Sequence, residues 1–277
     1  MPALAQATSG VPAAPRTARR RPGGRGPASA RHALAPATAV LLLVAVWQGA
    51  CSAFGIPTYL LPAPAKVAES LADNWSMLLD NAVPTLLEAV SGFALGNLVA
   101  IGIAVAFVHV KALERALMPV AVFVHTIPVV AIAPVLVIML GNGYAPKVAI
   151  AALISFFPTL VNMVRGLESV DRQQLELLRV LSASRSEVFW KVRLYAALPY
   201  LFSALKIAAT ASVLGAIVAE WIGSSVGLGY LIIQATYNFT TPLLFATLVV
   251  ASGIAVVFFT VVGVLERLLV RWDTGAR

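Results

Sequence analysis

Charged residues are concentrated in one stretch of this chain, from Arg165 to Pro199, which separates two long apolar segments. Cations and carboxylates both occur there, and together they could bind the charged surface of a partner. Apolar residues recur among them at helical spacing, which predicts two short amphipathic helices. The charged residues are Arg165, Glu168, Asp171, Arg172, Glu176, Arg179, Arg185, Glu187, Lys191 and Arg193.

Capping signals divide this stretch into two runs. Ser184 followed by Glu187 fits a capping box, in which the serine hydroxyl accepts the backbone N–H three residues on. Asp171 with Gln174 can cap the first run in the same way. The pattern predicts helix, turn and helix at the membrane surface, serving as a docking element. A solvated loop between two membrane spans is the alternative that spacing and caps alone leave open.

Glu220 is a second residue whose placement indicates function. It lies about 21 Å along the predicted helix from Lys206, at about 1.5 Å per residue, and therefore toward the outer side of its span. An ionisable side chain at that depth is costly and usually functional. A carboxylate that reaches the outer interface beside Trp221 is the alternative. For Glu88 and His125, near the outer edges of their spans, we expect interface placement.

Prolines and glycines complete the candidate pathway residues. Pro128 and Pro134 interrupt a predicted span and should kink it by removing backbone donors. A membrane tolerates such breaks only beside protein or a watery cavity, so pathway lining and a packing kink both remain open. Gly227 and Gly229 let the backbone turn sharply or approach another segment closely. With Glu220, these four residues are the candidates for a pathway or gate.

The composition places these residues in an integral membrane protein. The chain has 277 residues, of which 60% are hydrophobic and 12% are charged, whereas soluble domains carry about 25% charged residues. Six apolar stretches can each cross about 30 Å of hydrocarbon, which predicts an all-α, polytopic fold with about six transmembrane helices. The stretches are Leu34–Phe54, Thr85–Val108, Leu117–Leu140, Lys147–Val164, Leu198–Ile222 and Pro242–Val270.

The Lys and Arg residues predict the orientation of the chain. With the N-terminus inside, 17 of the 20 lie in inside segments, Lys66 and Lys147 lie outside, and Lys206 lies in the fifth span. This asymmetry predicts that both termini and the Arg165–Pro199 loop are cytoplasmic. Residues 1–33 cannot bury a core and are predicted to be a disordered basic tail, followed by a transmembrane domain over 34–277. A cleaved secretory signal is the alternative.

The sequence lacks the residues that a disulfide, a metal site or a phosphate-binding loop would require. The single cysteine excludes an internal disulfide, and no Cys/His cluster offers a metal site. No glycine directly precedes a lysine, so the chain has no Gly-x-x-x-x-Gly-Lys-Ser/Thr phosphate loop. We therefore expect no catalytic residues. We also expect no nucleic-acid partner, because membrane orientation and anionic lipid explain the net charge of +8.

The charged loop resembles the coupling loop of binding-protein-dependent ABC importer permeases, whose pattern is E-A-A, three residues, G, nine residues, I-x-L-P. Glu176-Leu177-Leu178 stands where E-A-A would, Ser182 replaces the glycine, and Val192–Tyr195 replaces I-x-L-P. The flanking sequences resemble the nitrate, sulfonate and taurine permeases, from about Pro84 to Trp272. They are Phe156-Phe157-Pro158, Gly166–Asp171, Ala196–Pro199, Ala219–Gly223 and Gly227–Ile232.

This resemblance implies the transmembrane half of a type I ABC importer in the inner membrane. It implies a homodimer, two cytoplasmic ATPase subunits that bind ATP and Mg²⁺, and a separate extracytoplasmic solute-binding protein. This chain itself would need no cofactor. The implied solute is small and polar or anionic: a sulfonate, nitrate or a pyrimidine-type vitamin precursor. Coupling to the ATPase is assigned to Leu175, Glu176, Leu177, Leu178, Arg179, Leu181, Ser182, Ala183, Ser184 and Arg185.

Two other functional classes fit parts of the sequence. A secondary transporter driven by an ion gradient would need paired ionisable residues near the bilayer midplane, together with inverted repeats. Only Glu220 and the proline-interrupted third span favour that class. A membrane scaffold or sensor without transport is the other alternative, and it leaves the interrupted helices unexplained.

Overall fold

The structure is a computed structural model that describes the backbone of residues 28–270 and the side chains of residues 38–270. The chain divides into two compact units, residues 1–46 and Trp47–Arg277. The first helix begins at Ala28, inside the predicted tail, and the rest of that tail lies outside the described residues. All side-chain contacts below belong to the second unit.

Every regular element within residues 28–270 is helical. A π-helical turn, Phe189–Arg193, joins α8 to α9 without a break. The α-helices are α1 (Ala28–Ala53), α2 (Pro64–Asp73), α3 (Trp75–His109), α4 (Lys111–Thr126), α5 (Val129–Leu140), α6 (Tyr144–Glu168), α7 (Arg172–Val180), α8 (Arg185–Val188), α9 (Leu194–Glu220), α10 (Leu228–Tyr237) and α11 (Thr241–Leu269).

Four helices of the described part are long and apolar enough to cross a membrane: α3, α6, the continuous helix Arg185–Glu220, and α11. Helices α4 and α5 count together as a fifth, although they are bent by 98° at the break between them. The first predicted span corresponds to α1, whose described apolar part, Thr38–Ala53, is shorter. The all-α polytopic class is therefore confirmed, with four or five spans rather than six meeting these criteria.

Small residues bring α3, α6 and α9 together at the centre of the bundle. Gly92 and Gly96 of α3 lie against Ala151 and Ala152 of α6, so closely that a Cβ at either glycine would overlap α6. Gly215 of α9 approaches Ala151 in the same manner. The Gly92-x-x-x-Gly96 spacing thus permits close packing of α3 against α6. Polar groups on these three helices can consequently meet inside the bundle.

The third predicted span is broken rather than merely kinked. Helix α4 ends at Thr126, and Pro128 forms the N-cap of α5 with an extended ψ of 125°. A proline there cannot donate to the preceding turn, so the helix ends before it. Pro134 lies inside α5 without ending it. The span is therefore interrupted at Pro128, whereas α5 continues past Pro134.

Two shorter helices lie between the long ones. Helix α2 ends at Asp73, and α3 begins two residues later. Helix α10 follows the glycine-rich segment after α9. One face of α10 is buried, with Leu231 packed beside Leu78 and Ala246.

Candidate functional site

The charged loop Arg165–Pro199 is capped at both of its helices. Asp171 accepts the N–H of Gln173 at 3.2 Å, a simple cap rather than the capping box predicted with Gln174. The capping box at Ser184 is confirmed: the N–H of Glu187 donates to Ser184 Oγ at 3.2 Å, and the N–H of Ser184 donates to Glu187 Oε2 at 3.0 Å. Local hydrogen bonds therefore fix where each helix begins.

The turn between α7 and α8 is a Schellman motif centred on Ser182. The N–H of Ser182 donates to the carbonyl of Arg179, and the N–H of Ala183 donates to the carbonyl of Leu178, both at 3.0 Å. Ser182 has a φ of +56°, in the left-handed region that glycine adopts most easily. The coupling-loop pattern has glycine at this position, so the chain keeps that backbone conformation with a different side chain.

The second amphipathic run is not a separate surface helix. Helix α8 forms a single turn and continues through the π-helical turn into α9. The resulting helix, Arg185–Glu220, has 36 residues and is about 54 Å long. No flexible linker separates the charged loop from this span. A displacement of the loop is consequently transmitted along α9.

Apolar and charged side chains of the loop are both exposed. Leu177 and Leu181 are 60% and 67% exposed, whereas Leu175 and Leu178 are half-buried. Exposed leucines beside charged groups are typical of a surface that binds another protein. The exposed polar residues of the loop's central part are Glu176, Arg179, Ser182, Ser184 and Arg185.

At the opposite end of the bundle, three charged side chains are buried together. Glu88, Lys147 and Glu220 are 2%, 7% and 1% exposed, and we call them the polar cluster. Lys147 Nζ pairs with Glu88 Oε1 at 2.9 Å and donates to Ser224 Oγ at 2.8 Å. The expected interface placement of Glu88 is therefore wrong. Lys147, counted above as an outside residue, lies inside the bundle.

Glu220 binds the segment that follows α9. Its Oε1 accepts a hydrogen bond from Thr85 Oγ1 and its Oε2 accepts the N–H of Gly229, both at 2.6 Å. The Thr85 hydroxyl accepts the N–H of Leu228 at 2.9 Å. Glu220 and Thr85 thus satisfy the first free N–H groups of α10, and the Glu220 carboxylate lies at its positive end. Burial of Glu220 excludes the outer-interface alternative.

The two predicted glycines lie directly against Glu220. Gly227 has a φ of +111°, and a Cβ there would overlap the Glu220 carboxylate. A Cβ at Gly229 would lie 2.8 Å from Glu220 Cβ. The N–H of Gly227 donates to Asn81 Oδ1 at 2.8 Å. The structure therefore brings three of the five predicted pathway residues together.

The two predicted prolines lie elsewhere, at and beyond the break between α4 and α5. No hydrogen bond or ion pair within residues 38–270 links Pro128 or Pro134 to the polar cluster. Ala133, beside Pro134, packs in a separate apolar cluster with Ile150 and Ala219. The structure thus divides the predicted pathway residues into two groups.

A cavity of about 420 Å³ opens beside the polar cluster. Glu88 and Lys147 line it, and so do Asn142, Tyr144 and Ser224. Oε2 of Glu88 is buried and receives no hydrogen bond from the described residues. The cavity therefore offers polar groups to water or solute. Sequence reasoning missed Lys147 and Ser224, because only their contacts across the bundle reveal them.

Comparison with known proteins identifies the family. The family described as "Binding-protein-dependent transport system inner membrane component" matches residues 97–272. The riboflavin transport system permease protein RibX of Chloroflexus aurantiacus is 38% identical over 87% of this chain and 90% of its own length. The formylaminopyrimidine transport permease protein ThiX of Halalkalibacterium halodurans is 33% identical over 87% of this chain and 96% of its own.

More distant relatives differ in the solutes that they are named for. They include a putative aliphatic sulfonates permease of Bacillus subtilis, 28% identical over 92% of this chain and 91% of its own length. The fold is also that of a solved transporter. The MetNI methionine ABC transporter, in an inward-facing conformation, contains a chain that matches with a TM-score of 0.55 at 18% identity, covering 75% of this chain and 98% of that one. The protein thus belongs to the inner-membrane permease components of binding-protein-dependent ABC importers, whose ATPase is a separate chain.

Proposed function

We propose that the protein forms the translocation pathway of an importer for a small heterocyclic solute of the pyrimidine or flavin class. The observation that carries the transport mechanism is the unbroken helix Arg185–Glu220. It begins in the charged loop and ends at Glu220, whose carboxylate is hydrogen-bonded to Thr85 and Gly229 at the opposite end of the bundle. One rigid element therefore connects a docking surface with a gate.

In this proposal the charged loop is cytoplasmic and binds the ATPase. Leu177 and Leu181 supply exposed apolar anchors, and Arg179 and Arg185 supply charges at the rim of the contact. Two copies of this chain, two ATPase subunits and an extracytoplasmic solute-binding protein form the transporter. The asymmetry of Lys and Arg residues supports this orientation and places both termini in the cytoplasm.

Gating follows from the contacts at the far end of α9. When the ATPase pair closes, rigid-body rocking displaces the charged loop and, with it, Glu220. A shift of about 1 Å would lengthen the 2.6 Å hydrogen bonds to Thr85 and Gly229 beyond useful range. The segment Gly223–Gly229 is then free to move away from α3. ATP hydrolysis in the partner is thereby converted into opening of the outer end.

The solute class rests on the relatives. RibX is named for riboflavin and ThiX for formylaminopyrimidine, and both are more than 30% identical to this chain. The pocket beside the polar cluster, with a carboxylate, an amide and hydroxyl groups, can exchange hydrogen bonds with such polar rings. Sulfonates and nitrate form the second candidate class, which the resemblance of the sequence implies.

Uptake into reconstituted vesicles tests the proposed function. The vesicles hold this chain with its ATPase, and the binding protein is supplied outside with labelled riboflavin, formylaminopyrimidine, taurine or nitrate. We expect ATP-dependent accumulation of a heterocycle. If only taurine or nitrate accumulates, the proposed solute class is wrong, but the ATP-driven mechanism still holds. Uptake by the purified chain without ATPase, driven by a proton gradient, would overturn the mechanism.

A further inference from the structure

A basic cavity of about 750 Å³ lies at the end of the bundle that carries the charged loop. Its walls are the last turn of α3, the start of α4, helices α7 and α8 with the turn between them, and the π-helical turn. Three arginines line it, Arg179, Arg185 and Arg193, together with Lys111 and His109. None of the described Asp or Glu residues lines it.

The arginines of this cavity differ from the lysines in having no partner. All five lysines form ion pairs: Lys66, Lys111, Lys147, Lys191 and Lys206. Within residues 38–270, none of the arginines forms an ion pair or a side-chain hydrogen bond that would neutralise it. These arginines are therefore available to pair with an anion from outside the chain.

Neighbouring carboxylates are already engaged with lysines. Glu187 pairs with Lys191 at 3.1 Å, and Lys111 pairs with both Glu114 and Glu168. Glu176, the other acid nearby, is exposed on α7 and does not line the cavity. None of the described carboxylates therefore forms an ion pair with the three arginines.

The floor of the cavity strengthens binding of an anion. Leu175 and Val188 are half-buried and Phe189 is 8% exposed. These three side chains give the arginines an apolar surface on one side. Ionic contacts at such a surface are stronger than those in open water. A guanidinium presents paired N–H donors that match two oxygens of a phosphate.

We infer that this cavity binds a phosphate group, either that of an anionic phospholipid or free phosphate. The cavity lies where α3 ends and α9 begins, which is the depth of lipid headgroups when these helices span a bilayer. Basic pockets between such helices on the cytoplasmic side attract anionic lipid headgroups. Leu177 and Leu181 do not line the cavity and remain free for the ATPase, whereas Arg179 and Arg185 belong both to the cavity and to the proposed ATPase contact. The inference thus goes beyond the proposed function and does not depend on the solute.

Arg193→Gln tests the site, and Arg172→Gln is the matched control. Both changes remove one positive charge from the same loop, but Arg172 is exposed on α7 outside the cavity. Binding of phosphatidylglycerol and of phosphatidylcholine to the purified full-length chain is measured by native mass spectrometry. We expect the unmodified chain to prefer phosphatidylglycerol by about tenfold or more, the effect of one to two charged hydrogen bonds. Arg193→Gln should remove most of this preference, and Arg172→Gln should change it less than about twofold.

Two further measurements make the result decisive. Arg193→Lys keeps the charge without the paired donors, so an intermediate affinity supports phosphate recognition and shows that loss in Arg193→Gln is not misfolding. Competition by inorganic phosphate would identify free phosphate as the ligand, and its absence would identify the lipid. The inference is wrong if both glutamine variants bind like the unmodified chain, or if the unmodified chain neither prefers phosphatidylglycerol nor binds inorganic phosphate. It is equally wrong if assembly with the ATPase abolishes the preference, because the cavity is then a protein contact.

Discussion

The two ends of the helix Arg185–Glu220 place charge in opposite environments. At one end, Glu88, Lys147 and Glu220 are almost completely buried, and hydrogen bonds or an ion pair connect them to three helices and a loop. At the other end, Arg179 and Arg185 are exposed and have no ionic partner within the described residues. A buried charge must be satisfied within the chain, whereas an exposed unpaired charge is available to another molecule.

This difference separates internal stability from assembly. Changes in the polar cluster should lower the stability of the chain itself. Changes in the charged loop should leave the isolated chain folded and weaken its contacts with the ATPase. The predictions below test that separation, beginning with the largest expected effect.

Lys147→Met should have the largest effect, because it leaves Glu88 buried without its partner. Removal of one member of a buried ion pair costs about 3–5 kcal/mol of unfolding free energy. Lys206→Met is the matched control: Lys206 pairs with Glu266 at 2.8 Å, but both side chains are more than 20% exposed. Its loss should cost about 1 kcal/mol or less. Denaturant unfolding in detergent micelles measures both, and equal destabilisation would contradict the distinction.

Glu220→Gln should have an intermediate effect on stability and a larger one on transport. The amide keeps one acceptor oxygen for the N–H of Gly229, so the Thr85 hydroxyl loses its carboxylate acceptor and must donate to the Asn81 carbonyl instead, at about 1–3 kcal/mol. We expect uptake to fall while the ATPase still copurifies. Glu266→Gln, on α11 outside the polar cluster, is the control. Normal uptake by Glu220→Gln would reduce Glu220 to a structural residue.

Replacing both Leu177 and Leu181 by serine should leave the free energy of unfolding within about 1 kcal/mol, because both side chains are already exposed. Loss of two apolar anchors should instead weaken ATPase binding by about tenfold or more. Copurification and ATP hydrolysis in membranes measure this effect. Tyr237→Ser, which removes an apolar side chain that is 77% exposed at the other end of the bundle, is the control. If both variants lose the same amount of ATPase binding, the charged loop is not the docking surface.

The sequence alone predicts the features that depend on residues close together in the chain. Apolar runs locate the long helices, and Ser184 with Glu187 locates the start of α8. The partnership of Glu88 with Lys147 is not local, since it joins residues on α3 and α6, two helices that the close packing of Gly92 and Gly96 helps to bring together. Treated singly, each charge is assigned to an interface, the cheapest place for an unpaired charge.

The continuous helix into α9 was missed for a related reason. Lys191 and Arg193 make the sequence polar where α8 passes into α9, so hydropathy indicates a loop. Helical hydrogen bonding tolerates these side chains because Lys191 pairs with Glu187 one turn earlier. The face that α10 buries is likewise set by contacts with α3 and α11, which α10's own sequence does not specify.

Ser182→Gly should have the smallest effect, and it should be stabilising. A side chain in the left-handed region costs about 1–2 kcal/mol, while glycine adds conformational entropy to the unfolded chain, offsetting roughly half of that gain. The net gain should be about 0.5–1 kcal/mol, seen as slower amide hydrogen exchange in the turn between α7 and α8. Ser184→Gly is the paired control. It removes a hydroxyl cap at an extended φ of −68° and should lower stability by a few tenths of a kcal/mol. If both substitutions change the stability of the turn in the same direction, that stability depends on chain entropy rather than on the left-handed conformation of Ser182.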